Sequence, residues 1–150
     1  MGYRVAITET LSEGARALRA GVFLDEQGFS VEFDEIDDNC LHLALYDGGT
    51  VIAAARAYPD ADEPGLWHIG RVVVDKKHRG GHLGSRIMQE MEAHLRSIGA
   101  VCTTVSAQCR VRAFYASLGY REQGEVYMDE FCPHIRMDKT LRQTGNDADS

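Results

Sequence analysis

The order of apolar and polar residues predicts strands and helices that alternate along the chain. Apolar residues alternate with polar ones in residues 3–8, which predicts a strand, and recur at helical spacing in residues 11–27, which predicts a helix. Residues 41–46 and 51–58 are apolar runs that flank Asp47-Gly48-Gly49, a turn sequence that predicts an antiparallel hairpin. The first part of the chain is therefore expected to form a strand, a helix and a hairpin.

The rest of the chain continues this mixture of strands and helices. The expected elements are a loop with a short helical turn at 30–39, a strand at 66–74, a helix at 83–98, a strand at 101–106, a short helix at 111–118 and strands at 120–128 and 131–140. This order predicts a mixed α/β (α+β) domain around one central sheet, spanning residues 1–140. Residues 141–150 are almost entirely polar and are expected to form a disordered tail.

Composition places the chain among globular proteins. It has 150 residues, 44% of them apolar, with no apolar run long enough to span a membrane. No secretory signal is visible, and the four cysteines lack CxxC spacing, so free thiols and a cytoplasmic location are expected. A net charge of −7 argues against a nucleic-acid partner, because phosphate contacts need clustered cations.

The charges are unevenly distributed along the sequence. Residues 20–55 contain no Lys or Arg. Their eight acidic residues are Asp25, Glu26, Glu32, Asp34, Glu35, Asp37, Asp38 and Asp47. Residues 71–86 are mainly basic. One stretch could attract a cationic ligand and the other an anion, although a solvated acidic loop is an equally good interpretation of the first.

The strongest chemical signal is a strand, a basic glycine-rich loop and a helix in direct succession. The loop is Lys76-Lys77-His78-Arg79-Gly80-Gly81-His82-Leu83-Gly84. The first N–H groups of a helix lack intrahelical acceptors, and glycines allow close approach of the backbone, so this arrangement is typical of a phosphate site. A tight turn that uses its glycines only for backbone geometry is the alternative.

This loop resembles the acetyl-coenzyme A motif Gln/Arg-x-x-Gly-x-Gly/Ala of the GNAT family of N-acetyltransferases. Arg79, His82 and Gly84 lie on its fixed positions, with His82 where the motif has glycine. Arg112-Ala-Phe-Tyr-Ala-Ser-Leu-Gly-Tyr resembles the short helix of that family, and the similarity spans residues 3–140. Val22-Phe23-Leu24-Asp25-Glu26-Gln27, Ile69-Gly70-Arg71-Val72 and Pro133-His134-Ile135 resemble the ElaA-like or YjcF-like branch.

The resemblance implies a mostly antiparallel sheet with helices on both faces, in which two parallel strands, 66–74 and 101–106, separate to form a cofactor cleft. It implies direct transfer of an acetyl group from acetyl-CoA to a primary amine. The cofactor residues that it implies are Val72, Val73, Val74, Arg79, Gly80, Gly81, His82, Leu83, Gly84, Ser85, Gln108 and Phe114. The pantetheine would pair with backbone near Val72 and Val74, and the pyrophosphate would lie on the loop amides.

The chemistry of acetyl transfer needs an acid, a base and an oxyanion donor. A backbone N–H at Val72 could stabilise the oxyanion, and Tyr115 matches the family position of the acid that protonates the departing thiolate. Glu26, His134 and His68 are the candidate bases, the first two slightly preferred because their local motifs match the branch. Each also has a structural interpretation: Tyr115 as a core aromatic, Glu26 on a solvated face, and the histidines within strands.

Other functions are less well supported by the sequence. Cys132-Pro133-His134 has none of the spacings that make a metal site convincing, so no metal is expected. The acceptor is expected to be a small-molecule or peptide amine, a cationic one included, and the oligomeric state, monomer or homodimer, stays open. A non-catalytic CoA-binding or self-associating module of the same fold is the alternative function.

Overall fold

The computed structural model describes residues 2–30 and 33–141. Seven strands form one mostly antiparallel sheet in the order β1-β2-β3-β4-β5-β7-β6. They are β1 (Tyr3–Thr8), β2 (Leu41–Asp47), β3 (Thr50–Pro59), β4 (Leu66–Val74), β5 (Cys102–Gln108), β6 (Arg121–Asp129) and β7 (Cys132–Thr140). The helices are α1 (Glu13–Arg19), α2 (Leu83–Ser97) and α3 (Arg112–Ser117). The predicted mixed α/β class is confirmed.

The chain divides into two compact units. The first combines Met1–Tyr58 with Ile69–Met91, and the second combines Pro59–His68 with Glu92–Ser150. Strand β4 contributes residues to both units.

In the first unit, β1 pairs antiparallel with β2, and β2 with β3. The predicted hairpin is therefore confirmed. Buried apolar side chains of α1, the sheet and the segment after α1 form a common core, made of Ala15, Val22, Ala44, Val51, Ala54 and Val73. Within α2, Ile87, Met88 and Met91 are fully buried, as their helical spacing predicts.

The predicted helix over residues 11–27 is shorter and less regular than expected. Ser12 caps α1 by accepting a hydrogen bond from the Ala15 N–H, and α1 ends at Arg19. Residues Ala20–Glu26 then form a π-helical turn. Ala15 and Val22, two of the apolar positions that predict the helix, are both buried, so apolar periodicity does not distinguish this turn from an α-helix.

In the second unit, β7 pairs antiparallel with both β5 and β6. Strand β5 begins next to Gly65, whose carbonyl accepts hydrogen bonds from the Val101 and Cys102 N–H groups. Leu141, which the sequence placed in the tail, is fully buried and its carbonyl accepts a hydrogen bond from Arg96 Nε. Leu141 therefore belongs to the folded domain, and the rest of the predicted tail, residues 142–150, lies outside the described residues.

The four cysteines are free, as predicted. Among the described helices, none combines the length and the apolar character that a membrane crossing requires.

Candidate functional site

The loop between β4 and α2 is held by short local contacts. The Asp75 N–H donates to the Ile52 carbonyl at 2.8 Å, and the Asp75 carboxylate accepts from Lys77 N–H at 3.2 Å and contacts His78 Nδ1 at 3.0 Å. These contacts close the 3-10 turn Lys76–His78. Arg79, Gly80, Gly81 and His82 follow on the surface, immediately before α2 begins. The loop is thus anchored at its start and exposed at its end.

Two residues of this loop have left-handed backbone conformations. Gly80 has a φ of 87° and His82 a φ of 63°. Such values cost a residue with a Cβ about 1–2 kcal/mol and cost glycine almost nothing. The backbone at position 82 therefore has a conformation that favours glycine, the residue that the resembled motif has there, and His82 adopts it at the expense of strain.

Arg79 and Glu26, both predicted site residues, are in direct contact. Arg79 Nη1 donates to Glu26 Oε2 at 2.5 Å and Nη2 donates to Oε1 at 3.0 Å, while Nε donates to the Val74 carbonyl at 3.0 Å. The hydrogen bonds with Glu26 raise the pKa of the Arg79 guanidinium above its ordinary value. The last residue of the π-helical turn is therefore tied to the first residue of the glycine-rich motif.

Much of the acidic stretch is paired with arginines. The Asp37 carboxylate accepts from both terminal nitrogens of Arg19, at 2.9 and 3.1 Å, and from Arg56 Nη1 at 3.1 Å. Asp34 accepts from Arg56 at 2.6 and 3.2 Å and lies 3.5 Å from Arg71 Nη2. These carboxylates are neutralised within the fold, so a cationic ligand would meet other acidic groups of the stretch.

Burial and ion pairing have opposite effects on the pKa of Asp37. Burial by itself would raise the pKa of Asp37, but the hydrogen bonds and charge of Arg19, together with the Asp34 N–H and Arg56, lower it to about 2. For Asp34, the hydrogen bonds from Arg56 are the main reason that its pKa is lowered. Both side chains are therefore ionised carboxylates under physiological conditions.

The structure also brings together a buried group that sequence spacing did not single out. Ligand atoms of Asp37, Cys40 and His42 all lie within 4.8 Å of one another. The Asp37 oxygens already accept hydrogen bonds from Arg19 and Arg56, and burial raises the pKa of the Cys40 thiol to about 11. Two guanidinium groups and a protonated thiol oppose a cation, so the group is better described as part of a buried ion network.

In the second unit, Tyr115 lies on α3 with its ring buried. It packs edge-to-face against Phe114 and Tyr120, with ring centroids 5.0 and 5.8 Å apart. Burial raises the pKa of the Tyr115 hydroxyl to about 12, so the group carries its proton at neutral pH. Across residues 2–30 and 33–141 no hydrogen-bond partner of that hydroxyl is found. The ring is thus a core aromatic, as one interpretation held, while the hydroxyl keeps a proton to donate.

A polar network fixes the neighbour of Tyr115. The Tyr120 hydroxyl donates to Glu92 Oε2 at 2.8 Å and lies 2.8 Å from Thr103 Oγ1. Lys139 Nζ donates to the other Glu92 oxygen at 2.7 Å. The Tyr120 ring also packs edge-to-face against Tyr115.

His134 is buried on β7, directly opposite Gln108 of β5. Its Nδ1 lies 2.9 Å from the Cys132 carbonyl, which can only accept, so Nδ1 carries the proton. In the neutral ring Nε2 is then the basic nitrogen. The Tyr127 ring stacks on the imidazole with centroids 6.0 Å apart. His134 and Tyr115 both belong to the second unit.

His68 has a partner that the sequence analysis missed. Its Nε2 lies 2.7 Å from Asp60 Oδ1, while Asp60 Oδ2 accepts from the Asp62 and Glu63 N–H groups. These contacts lower the pKa of Asp60 to about 2, and the contact with His68 makes the largest contribution. An aspartate after a proline at the start of a loop is typical of such a turn, and this signal could have identified Asp60 as a turn residue.

The predicted residues thus separate into two sets. Glu26, Arg79, Val72, Val73, Val74 and the loop through Ser85 belong to the first unit, where Glu26 and Arg79 touch. Tyr115, Phe114, Gln108, His134 and His68 belong to the second, where Gln108 and His134 pair in the sheet and Phe114 contacts Tyr115.

Residues 7–120 match the family model described as the acetyltransferase (GNAT) family. The uncharacterized N-acetyltransferase YjcF of Bacillus subtilis is 30% identical over 138 residues, which cover 90% of this chain and 96% of YjcF.

Solved structures give the same similarity at the level of the fold. An acyl-CoA N-acyltransferase from Pseudomonas aeruginosa superimposes with a TM-score of 0.79 at 26% identity, covering 92% of this chain and 99% of that one. The crystal structure of Escherichia coli ElaA gives a TM-score of 0.78 at 25% identity, covering 92% and 98%. The resemblance to the ElaA-like or YjcF-like branch is therefore confirmed.

Proposed function

Because the chain belongs to the GNAT acetyltransferase family, we propose that it transfers an acetyl group from acetyl-CoA to a primary amine by direct attack in a ternary complex. The observation that carries this proposal is the left-handed backbone of His82 at the glycine position of the motif, directly before α2. It supports a loop whose amides, from Arg79 to Ser85, point to a pyrophosphate, with the positive end of the α2 dipole behind them.

An irregularity in strand β4, before the loop, supports the proposed contacts with the pantetheine arm and the oxyanion. Arg71 has a φ of 52° inside β4. A left-handed residue within a strand locally disrupts the hydrogen-bond ladder. This irregularity favours the use of backbone groups at Val72 and Val74 by the pantetheine arm, and of the Val72 N–H by the oxyanion.

Tyr115 carries the proton that the reaction requires, and His134 is the proposed base. In the proposed mechanism His134 Nε2 takes a proton from the ammonium, and the amine nitrogen attacks the thioester carbon to give a tetrahedral oxyanion. Collapse breaks the C–S bond, and the thiolate takes the proton of the Tyr115 hydroxyl. The second proton lost by the nitrogen restores Tyr115, so the products are the N-acetylated amine, free CoA and one proton.

His134 is preferred over the other two candidate bases on geometric grounds. The Glu26 carboxylate is engaged by the Arg79 guanidinium, and His68 directs Nε2 at Asp60. The Nδ1 proton of His134 is instead held by the Cys132 carbonyl, which fixes the tautomer of the ring. A main-chain partner fixes the tautomer without adding a competing charge.

Acetyl-CoA is expected to stabilise the protein against heat. A ligand that binds only the native state at about 100 times its Kd adds about 2.7 kcal/mol, or about 5–10 °C in Tm for a domain of this size. Arg79→Ala should reduce this shift, while Arg4→Ala, which removes an equal charge from strand β1, should not. Differential scanning fluorimetry with acetyl-CoA measures both. If millimolar acetyl-CoA produces neither a thermal shift nor a calorimetric heat, the cofactor assignment is wrong.

Turnover is tested by a panel of amines with acetyl-CoA. The four cysteines of the protein are free thiols, so a thiol reagent would also report the enzyme itself. The N-acetylated product is therefore better measured by mass spectrometry, with a reaction lacking amine as the control. Binding of acetyl-CoA without product from any amine would favour the non-catalytic CoA-binding module.

His82→Gly is expected to improve both stability and cofactor binding. Glycine removes the strain of the left-handed backbone, and part of the gain is offset by its greater freedom in the unfolded chain, so about 0.5–1 kcal/mol of added stability is expected. CoA should bind about tenfold more tightly at both pH 6 and pH 8 if the histidine ring only obstructs the phosphates. Calorimetric titration of both proteins at both pH values checks this. Weaker binding by the variant, most evident at pH 6, would mean that the imidazolium holds the phosphates.

A further inference from the structure

The 3-10 turn that follows β5 lies next to the two elements that carry the proposed acid and the proposed base. This turn, Cys109–Val111, contacts both α3, which carries Tyr115, and β7, which carries His134. Gln108, the last residue of β5, lies directly opposite His134 in the sheet. A side chain on the turn is therefore well placed to contact an acceptor that reacts beside these elements.

Arg110, in the middle of this turn, has an exposed guanidinium that is fixed along one edge. Its Nε donates to Gln108 Oε1 at 2.9 Å. Within the described part of the chain, no carboxylate forms an ion pair with Arg110. By contrast, Arg112 and Arg136 of the same unit are each paired with a carboxylate. The Nη1 and Nη2 groups of Arg110 are therefore available to a ligand.

The charge of Arg110 acts on the residue that holds the ring of His134. Burial raises the pKa of the Cys132 thiol, and the nearby Arg110 guanidinium partly opposes that rise. The carbonyl of the same cysteine accepts the hydrogen bond from His134 Nδ1. Arg110 therefore lies close to the segment that positions the proposed base.

An exposed guanidinium with two neighbouring N–H groups is suited to a carboxylate ligand. Two parallel hydrogen bonds match the two carboxylate oxygens, and the planar geometry of both groups fixes the orientation of the ligand. Amino acids carry a carboxylate within a few bonds of the amine nitrogen, whereas simple alkylamines and polyamines have none. A carboxylate held by Arg110 would thus bring the nitrogen of an amino acid near the proposed base.

We propose that Arg110 binds the carboxylate of the acceptor and that the acceptors of this protein are amino acids. The inference rests on the proposed acetyltransferase function and names its substrate class. Nη1 and Nη2 of Arg110 donate to the two carboxylate oxygens, while Nε stays on Gln108. Arg110 determines specificity, because it holds the acceptor but transfers neither a proton nor the acetyl group.

The test uses pairs of acceptors that differ only by a carboxylate. Alanine is compared with ethylamine, leucine with 3-methylbutylamine and phenylalanine with 2-phenylethylamine, and mass spectrometry measures the N-acetylated products formed with acetyl-CoA. For each pair, kcat/KM of the amino acid is divided by kcat/KM of the matched amine. The two members of a pair also differ in the pKa of their nitrogen, so the informative quantity is the change of this ratio between wild type and variant.

Arg110→Gln should lower this ratio about tenfold or more, because a charge-assisted, bidentate contact with the carboxylate is lost. Arg110→Lys keeps the charge but not the paired N–H groups, so it should lower the ratio by a smaller factor. Arg121→Gln is the matched control. It removes an equal charge from the start of β6, where Arg121 lies opposite Asp138 rather than His134, and should change the ratio by less than about twofold. Melting temperatures and CoA titrations establish that each variant is folded and binds the cofactor.

The outcomes separate the inference from the function on which it rests. If the wild type forms no product from any amine or amino acid, the acetyltransferase proposal is wrong and the substrate class with it. If the wild type acetylates amines but Arg110→Gln leaves the ratio unchanged, only the inference about Arg110 is wrong. An equal fall of the ratio in Arg110→Gln and Arg121→Gln would also overturn that inference, since long-range electrostatics would then explain the preference. Weaker CoA binding by Arg110→Gln with an unchanged ratio would overturn it too and would assign Arg110 to the cofactor.

Discussion

Asp37→Asn is expected to lower the free energy of unfolding by about 3–5 kcal/mol, the usual cost of removing one partner from a buried ion pair. The side chains of Arg19 and Arg56 are 1% and 4% exposed, and both donate to Asp37. Asparagine keeps the shape of the side chain but loses the charge, so the buried guanidinium groups of Arg19 and Arg56 would lose the carboxylate that they share. Equilibrium denaturation with urea measures the change.

Asp38→Asn is the control for this prediction. Asp38 lies in the same 3-10 turn, Glu35–Asp38, but its side chain is exposed, so its replacement should change stability by no more than about 0.5 kcal/mol. A loss below about 1 kcal/mol in Asp37→Asn would mean that water reaches the arginines and that the pair is not effectively buried.

The same network predicts how stability depends on pH. The pKa of Asp37 is about 2 in the fold against 3.8 in the unfolded chain, so the carboxylate binds its proton more readily when unfolded. Its contribution is therefore complete above about pH 4 and is lost as the pH falls toward 2. Unfolding measured at pH 5, 3 and 2 should show a steeper acid loss for the wild type than for Asp37→Asn.

Most of the fold could be predicted from local pattern. The alternation in β1, the turn sequence between β2 and β3 and the helical spacing in α2 each determine an element through neighbouring residues, and all three are present. The π-helical turn Ala20–Glu26 could not be predicted, because its apolar residues are compatible with an ordinary helix.

The candidate site, too, could be predicted from the sequence only in part. The loop with His82 and the helix with Tyr115 are contiguous motifs and were identified directly. The ion pairs join residues far apart in sequence, such as Glu26 with Arg79, and only the fold brings them together. The sequence did contain one signal for these ion pairs. Arg19 and Arg56 are the cations on either side of the stretch without Lys or Arg, and both pair with Asp37 inside that stretch.

Tyr115 shows why a structural and a chemical role need not exclude each other. Its ring fills the core beside Phe114 and Tyr120, as a sequence pattern of apolar positions predicts. The same burial raises the pKa of its hydroxyl to about 12, which keeps the proton in place at neutral pH. Burial also makes the hydroxyl a weaker acid, so its transfer of a proton to a thiolate of ordinary pKa about 8.5 depends on the proton that the amine nitrogen loses and returns to Tyr115.

Tyr115→Phe is accordingly expected to lower kcat about 100-fold or more while leaving the affinity for CoA nearly unchanged, because only the hydroxyl is removed and general acid steps typically contribute that much. Tyr120→Phe is the matched control: it removes the hydroxyl that donates to Glu92, so it should lower Tm but leave kcat of the folded enzyme close to the wild type. Steady-state rates with a good acceptor, together with CoA titrations and melting curves of both variants, separate the two roles. If Tyr115→Phe retains full turnover, Tyr115 is a core residue only, and the thiolate is protonated by solvent.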